Sequence, residues 1–288
     1  MSELLANTIE MIKPLDEDVM VKARARQDTL TKPPGSLGRL EELSIQLAGI
    51  QGRPVPHIKE KAIITMAGDH GVVAEKVGNW PQEVTAQMLA NFLIGGAGIN
   101  VIARQVGIRV IVVDMGVATE LTPDARLLSR KIDSGTRNMV LGPAMSAEQA
   151  VRAIETGIEL VADEAARGLD IVGTGDMGIG NTTASAAICA VMTGKTVTEV
   201  TGRGSGLTDE QLAHKITVIE FAYYSSTTTA ARHMQGKVVL GSVAGKVTAG
   251  DMEAGVETGH ALGGISDGNM QGTVATAQLQ AIIQGGAT

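Results

Sequence analysis

A glycine-rich segment past the middle of the chain carries residue types that suit a phosphate group. It runs from Gly173 to Thr183, between a short apolar run at 169–172 and a longer one at 184–192. Glycines let the backbone approach a ligand closely because no Cβ intervenes, and a helix start offers unpaired N–H groups and a partial positive charge. Asn181, Thr182 and Thr183 add side-chain donors there. The segment predicts an α/β enzyme that binds a phosphorylated small molecule.

A second glycine-rich segment at 201–206 carries a guanidinium on Arg203. Arginine forms paired hydrogen bonds with phosphate or carboxylate groups, so this loop suits the same kind of ligand. Thr208 is expected to cap the next helix, which carries Lys215. From its position alone, that lysine fits a solvated helix residue as well as a cation in a site.

Two better-known phosphate loops share part of the first pattern. Gly173-x-Gly175-x-x-Gly178 matches a dinucleotide fingerprint, with Glu199 about 20 residues further on as the ribose-binding carboxylate. The run that ends in Gly180 also resembles the loop of nucleotide triphosphatases, but an asparagine replaces its lysine. A monophosphate needs less positive charge, so a monophosphate ligand is favoured. A glycine-rich turn without a ligand is the remaining alternative.

Short β-branched runs at 62–67 and 109–113 end in Asp and Gly residues, like the run before Gly173. Such runs are typical of strands buried on both faces of a parallel sheet, whose carboxyl edge binds ligands. Helical patterns between them predict an α/β fold with a doubly wound, mostly parallel, Rossmann-like sheet and a smaller helical lobe. We expect the lobe at 1–55, the α/β domain at 56–220 and a divergent tail at 221–288.

Composition limits the possible partners. The 288 residues carry a formal charge of −7 and only five aromatic side chains, which argues against nucleic-acid binding. We see no signal peptide and no apolar stretch of about 20 residues, so we expect a cytoplasmic protein without a membrane partner. The single cysteine, Cys189, is expected in the core rather than as a nucleophile. The histidines stand far apart, and no metal-binding spacing is present.

Five longer motifs then indicate a family. They occupy residues 31–41, 67–72, 80–85, 173–183 and 201–206. In this order and spacing they resemble the nicotinate-nucleotide–dimethylbenzimidazole phosphoribosyltransferases, over about residues 15 to 220. The resemblance implies transfer of phosphoribose from nicotinate mononucleotide to 5,6-dimethylbenzimidazole or a related base in cobamide assembly. It implies no cofactor and no metal, and a homodimer, with a heterodimer with a paralogue as the alternative.

The resemblance also implies roles for individual residues. Asp176 and Lys215 match charged positions near the reacting centre, and Gln82 matches the pocket for the aromatic base. Asp69 and His70 are expected to orient substrate, although a structural role for His70 fits equally well. The residues expected to hold the ribose phosphate are Gly178, Gly180, Asn181, Thr182, Thr183, Gly202, Arg203 and Gly204.

Two departures from the family pattern keep an alternative open. The family usually has glutamate where this chain has Asp176, and we find no match for its C-terminal motif, which carries the proposed general base, after Glu220. The run at 252–259 is only a faint echo of that motif. The alternative is therefore a catalytically impaired paralogue or a partner subunit that binds the nucleotide. A dinucleotide-dependent oxidoreductase is a more distant third interpretation.

Overall fold

Four parallel strands form the central sheet in the computed structural model. They are β1 (Lys61–Gly68), β2 (Arg109–Gly116), β3 (Leu127–Ser129) and β4 (Ile171–Met177), in the spatial order β3-β2-β1-β4. The chain moves outward from β1 to β3 and then returns to the other side of β1 for β4. Such a reversal is a topological switch point, where open α/β sheets bind ligands at the carboxyl ends of their strands. The predicted α/β fold with a parallel sheet is confirmed.

The structure describes residues 2–228 and six strand segments beyond them, at 233–238, 241–247, 251–256, 259–265, 270–274 and 277–283. The helices of the first part are α1 (Glu3–Glu10), α2 (Glu17–Asp28), α3 (Arg39–Gln51), α4 (Val84–Leu93), α5 (Gly98–Gln105), α6 (Ala147–Ala166), α7 (Asn181–Thr193), α8 (Val197–Val200) and α9 (Asp209–Thr228), with a 3₁₀ helix at Gly71–Glu75. The later segments are β5 (His233–Val238), β6 (Gly241–Val247), β7 (Asp251–Val256), β8 (Gly259–Ile265), β9 (Met270–Val274) and β10 (Ala277–Ile283).

Helices cover both faces of the sheet, which explains why its strands are apolar runs rather than alternating ones. On one face, Leu160 of α6 packs against Ile64 of β1 and Val113 of β2. On the other face, Leu89 and Phe92 of α4 belong to a buried cluster that includes residues of β1 and β2. The sheet is therefore the centre of the main core.

The first 50 residues form the predicted helices α2 and α3. Asp16 caps α2 by accepting a hydrogen bond from the Val19 N–H at 3.0 Å. Val19 and Ala23 of α2 pack against Ala48 of α3, where small residues let the two helices approach closely. The division of the chain into lobe, α/β domain and tail stays a prediction. Its boundary at 220/221 falls inside α9, which continues to Thr228.

The tail sequence shows neither the alternation typical of a strand nor the apolar stripe typical of a helix. Its described segments after α9 are nevertheless strands. They form two parallel three-stranded sheets, in the orders β5-β7-β9 and β10-β8-β6. The faint echo at 252–259 begins in β7, and residues 257 and 258 lie outside the described part of the chain.

Residues 84–105 are long and apolar enough, by composition, to cross a membrane. The structure divides them into α4, of 10 residues, and α5, of 8 residues. Each is well short of the roughly 20 residues that a spanning helix needs. Leu89 and Phe92 of α4 and Ala103 of α5 are buried in the protein, so the segment supplies core helices.

One expectation about the central glycine segment is wrong. Strand β4 continues to Met177, so Gly173 and Gly175 lie inside a strand and not in a strand-to-helix turn. The space at Gly173 is tight, since a Cβ there would lie 3.0 Å from Cγ1 of Ile63. The dinucleotide fingerprint requires its first glycines in the turn, so this geometry argues against the oxidoreductase interpretation.

Helix α7, expected to be buried, has one buried face and one exposed face. Ala186 and Ala190 pack against Val197 of α8 and Ile219 of α9. Cys189 is exposed instead of being a core residue, because it lies on the opposite side of the helix. Because the apolar run is uninterrupted, its sequence has no helical periodicity that would predict which face is buried.

Candidate functional site

The turn between β4 and α7 is held tightly against the end of β1. A Cβ at Gly178 would lie 2.0 Å from the backbone oxygen of Gly68, far inside contact distance. Gly180 has a φ of +88°, and a Cβ there would lie 2.9 Å from Cγ2 of Val73. Gly178 therefore requires glycine for packing, and Gly180 requires it for packing and for its left-handed backbone. The sequence alone suggests close approach to a ligand as the reason.

The start of α4 fixes the same turn from another side. The Thr85 hydroxyl accepts a hydrogen bond at 3.0 Å from the Ile179 N–H, and Thr85 is completely buried. The Thr85 N–H in turn donates to the Gln82 backbone oxygen at 3.0 Å. Gln82 thus belongs to the turn that leads into α4, and this turn is attached to the glycine turn through Thr85.

A chain of hydrogen bonds joins the two residues that the sequence marked as catalytic. Asn181 donates from Nδ2 to Oδ2 of Asp176, at the exposed end of β4. The Oδ1 atom of Asn181 accepts from the Thr182 N–H at 2.8 Å, and the Thr182 hydroxyl accepts from Nζ of Lys215 at 2.7 Å. Asp176 and Lys215 are therefore connected through the first two residues of α7.

Lys215 belongs to α9, and its buried ammonium lies beside the start of α7. The residue is only 1% exposed, and its Nζ also donates to the Gly202 backbone oxygen at 3.2 Å. Burial lowers the pKa of Lys215, and no ion pair with a carboxylate forms within the described residues. A desolvated ammonium without a counter-ion is costly, and an anionic ligand beside it would lower that cost.

The second glycine loop closes over Thr182. Gly204 has a φ of +52°, and a Cβ there would lie 3.2 Å from the Thr182 hydroxyl and 3.8 Å from Nζ of Lys215. Arg203 bonds elsewhere, since its guanidinium donates to the Leu207 backbone oxygen at 3.0 Å and pairs with Asp209. In this structure the loop presents backbone to Thr182, and the hydrogen bonds of Arg203 stay within the loop and the start of α9.

Asp69 and His70 follow β1 and have different surroundings. Asp69 is 3% exposed, and its Oδ2 accepts from the Ala118 N–H at 2.8 Å, so this carboxylate ties the ends of β1 and β2 together. The His70 ring lies against Gly178, where a Cβ would be 3.0 Å from Nε2. Burial lowers the pKa of His70, while Asp69 and Asp176 oppose that shift. The His70 ring therefore lies beside the candidate site, with a pKa below its usual value.

Comparison with known proteins places this arrangement in a family. The family model DBI_PRT, described as a phosphoribosyltransferase, matches residues 12–279. The chain belongs to this phosphoribosyltransferase family. The resemblance seen in the five motifs is thereby confirmed.

Comparisons with individual proteins agree with this family assignment. A nicotinate-nucleotide–dimethylbenzimidazole phosphoribosyltransferase of Dehalococcoides mccartyi is 60% identical over 213 residues, covering 74% of this chain and 60% of the relative. The enzyme of the same name from Desulforudis audaxviator is 54% identical over 220 residues, covering 76% of this chain and 62% of its own length. The crystal structure of CobT from Thermus thermophilus matches with a TM-score of 0.69 and 47% identity, over 72% of this chain and 62% of that one. The chain thus spans about three fifths of the length of these relatives.

The structure of this family member brings together most of the residues predicted for the site. Asp176, Asn181, Thr182, Gly202, Gly204 and Lys215 form one connected group, and Gly178, Gly180 and His70 lie beside it. Thr183 is different, because it is completely buried and its hydroxyl has no hydrogen-bond partner among the described residues. Its side chain therefore belongs to the interior, one residue beyond the exposed Thr182.

Sequence reasoning missed Thr85, which holds the glycine turn. The residue was part of the motif at 80–85, but a threonine near a helix start is more often explained by the helix itself. The relevant partner, Ile179, lies 94 residues away in sequence. Only the packing of α4 beside β4 reveals the pair.

Proposed function

We propose that this chain transfers phosphoribose from nicotinate mononucleotide to 5,6-dimethylbenzimidazole or a related base. The products are nicotinate and an α-ribazole-type phosphate, which belongs to the nucleotide loop of cobamides. The observation that carries the proposal is the buried Lys215 ammonium, hydrogen-bonded to Thr182 at the start of α7. Family membership and the names of the relatives support the choice of reaction.

The phosphate of the nucleotide binds where α7 begins. In the structure the Asn181 side chain accepts from the Thr182 N–H, and the Thr182 hydroxyl accepts from Lys215. A phosphate oxygen replaces these internal acceptors and takes hydrogen bonds from the backbone N–H, the hydroxyl and the ammonium. The helix start favours this negative charge. One monophosphate fits a site with one buried cation and no lysine in the loop itself.

The transfer is a direct displacement at the anomeric carbon of the ribose. A nitrogen of the incoming base forms a bond to this carbon while the bond to the pyridinium nitrogen breaks. The bonding electrons pass to that nitrogen, so nicotinate leaves with a neutral ring and needs no proton. The attacking base loses the proton on its other nitrogen to a carboxylate, which prevents a build-up of positive charge. Direct displacement inverts the configuration at this carbon.

We assign Asp176 as the carboxylate that accepts this proton. It lies exposed at the end of β4, and Asn181 holds its Oδ2 atom by a hydrogen bond. Lys215 supplies positive charge on the other side of Thr182. Gln82, in the turn before α4, lines the pocket of the aromatic base in this proposal. Asp69 and His70 support the end of β1, next to the glycine turn.

The proposal also includes the oligomeric state, the location and the domain division of the enzyme. We infer a homodimer in the cytoplasm, with small-molecule substrates and no macromolecular substrate. No observation favours a catalytically impaired paralogue or a partner subunit. The three-part division into 1–55, 56–220 and 221–288 is kept as a proposal, with its second boundary moved to the end of α9 at Thr228.

The proposal is tested by incubating the full chain with nicotinate mononucleotide and 5,6-dimethylbenzimidazole, and separating the products by chromatography. The expected result is equal amounts of nicotinate and ribazole phosphate, formed only when both substrates are present. Omission of the base controls for simple hydrolysis. Nicotinate release that is independent of the base, or no release with any of several benzimidazoles, phenols and adenine, would contradict the proposal.

A further inference from the structure

A cavity of about 260 Å³ lies between the end of α4, helix α5 and strand β2. It borders β2, whereas the candidate active site borders β4, and β1 lies between these two strands. Its inner wall is apolar and mostly buried, formed by Phe92, Ala103 and Val112. Apolar walls with a few polar groups are typical of small-molecule sites.

Arg104 gives the mouth of the cavity a positive charge. One guanidinium nitrogen donates to the Gly95 backbone oxygen at 2.8 Å. Within the described residues no carboxylate forms an ion pair with Arg104, whereas the neighbouring Arg126 is held by Asp124. Of the two arginines that line the cavity, Arg104 is therefore the one that has no carboxylate partner among the described residues. Its other N–H groups are available to bind an anion.

From these two features, the apolar wall and the cation, we propose that the cavity binds a small organic acid with an apolar body and a carboxylate. The apolar body lies on Phe92 and Val112, and the carboxylate pairs with Arg104. This site is separate from the transferase site and does not depend on the proposed reaction.

Indole-3-acetate is a suitable probe, because it combines an apolar ring with a carboxylate. Isothermal titration of the full chain is expected to show saturable binding at millimolar concentration or below. Indole-3-acetamide, which has no charge, should bind about tenfold more weakly, since the charge-assisted bond to Arg104 is lost.

Variants assign this loss to a residue. Arg104→Met should remove the difference between the acid and the amide, whereas Arg24→Met on the exposed side of α2 should not change it. Far-UV circular dichroism confirms that each variant is folded.

Four results would overturn the proposal. They are no saturable binding of indole-3-acetate, equal binding of the acid and the amide, unchanged binding to Arg104→Met, and displacement of the probe by nicotinate mononucleotide. The last result would place the probe in the transferase site. Failure of the transferase assay alone leaves these measurements unaffected, so the two proposals are tested independently.

Discussion

The Nζ atom of Lys215 lies 2.7 Å from the hydroxyl oxygen of Thr182, and the lysine is almost completely buried. This contact joins α9 to the first turn of α7, so residues 33 positions apart in sequence meet in the candidate site. The Gly202 backbone oxygen accepts from the same ammonium at 3.2 Å. The site is thus assembled from α7, α9 and the loop between them, at the point where the order of the strands reverses.

Asp176→Asn tests the assignment of the general base. Removing the charge should lower kcat by about 100- to 10,000-fold, the usual contribution of general acid–base catalysis, with little change in nucleotide affinity. Asp176→Glu restores a carboxylate, of the length usual in the family, and should keep measurable turnover. Steady-state kinetics of product formation distinguish the two variants. If the kcat of Asp176→Asn is close to that of the unmodified enzyme, another group acts as the general base.

Thr85→Val tests the contact that holds the glycine turn. Valine has the shape of threonine but cannot accept the hydrogen bond from the Ile179 N–H. The buried N–H is then unsatisfied, which should lower the free energy of unfolding by about 1–3 kcal/mol. Urea denaturation measures this change. Thr85→Ser keeps the acceptor and should retain the nucleotide affinity that Thr85→Val loses, whereas equal affinity for both variants would argue against a positioning role.

Gly178→Ala tests the packing of the turn against β1. The new Cβ would lie 2.0 Å from the Gly68 backbone oxygen, so the backbone must move. We expect a loss of about 3 kcal/mol or more in the free energy of unfolding. Gly202→Ala is a matched control, because a Cβ there meets no atom within 4 Å, and its effect should be within about 0.5 kcal/mol. Similar stabilities of the two variants would contradict this account of the turn.

His70 should make stability depend on pH below neutrality. Burial lowers the pKa of His70 from 6.5, so the unfolded chain takes up a proton at a higher pH than the folded one does. The free energy of unfolding should therefore fall as pH decreases through about 6.5 towards the folded pKa. His70→Gln should show a smaller fall between about pH 7 and 5.5, measured by urea denaturation at each pH. A fall in stability that His70→Gln leaves unchanged would contradict this role of His70.

The sequence predicted three strands of the central sheet and the edge of the sheet at which the candidate site lies. Short β-branched runs that end in Asp and Gly indicated β1, β2 and β4, and parallel strands bring such ends to one edge. Thr208 also proved to be a helix cap, since its hydroxyl accepts from the Gln211 N–H at 3.3 Å. These features depend on residues that are close in sequence.

Features that depend on tertiary packing were not predictable in the same way. Helix position alone left open whether Lys215 was solvated, and only the packing of α9 against α7 buries it. The guanidinium of Arg203 suited a phosphate, but the neighbouring Asp209 binds it in the structure. Cys189 looked like a core residue because every neighbour is apolar, and an apolar run does not reveal which face of its helix is covered.

The central claim is that the start of α7 and Lys215 hold the phosphate of nicotinate mononucleotide. It is tested most directly by titrating the unmodified chain and Lys215→Met with nicotinate mononucleotide and with nicotinate riboside, which lacks the phosphate. We predict that the unmodified chain binds the nucleotide roughly 10- to 100-fold more tightly than the riboside, since hydrogen bonds to charged groups contribute about 1.5–3 kcal/mol. In Lys215→Met this preference should largely disappear. Equal affinity of the unmodified chain for the two compounds, or a preference that Lys215→Met keeps, would contradict the account.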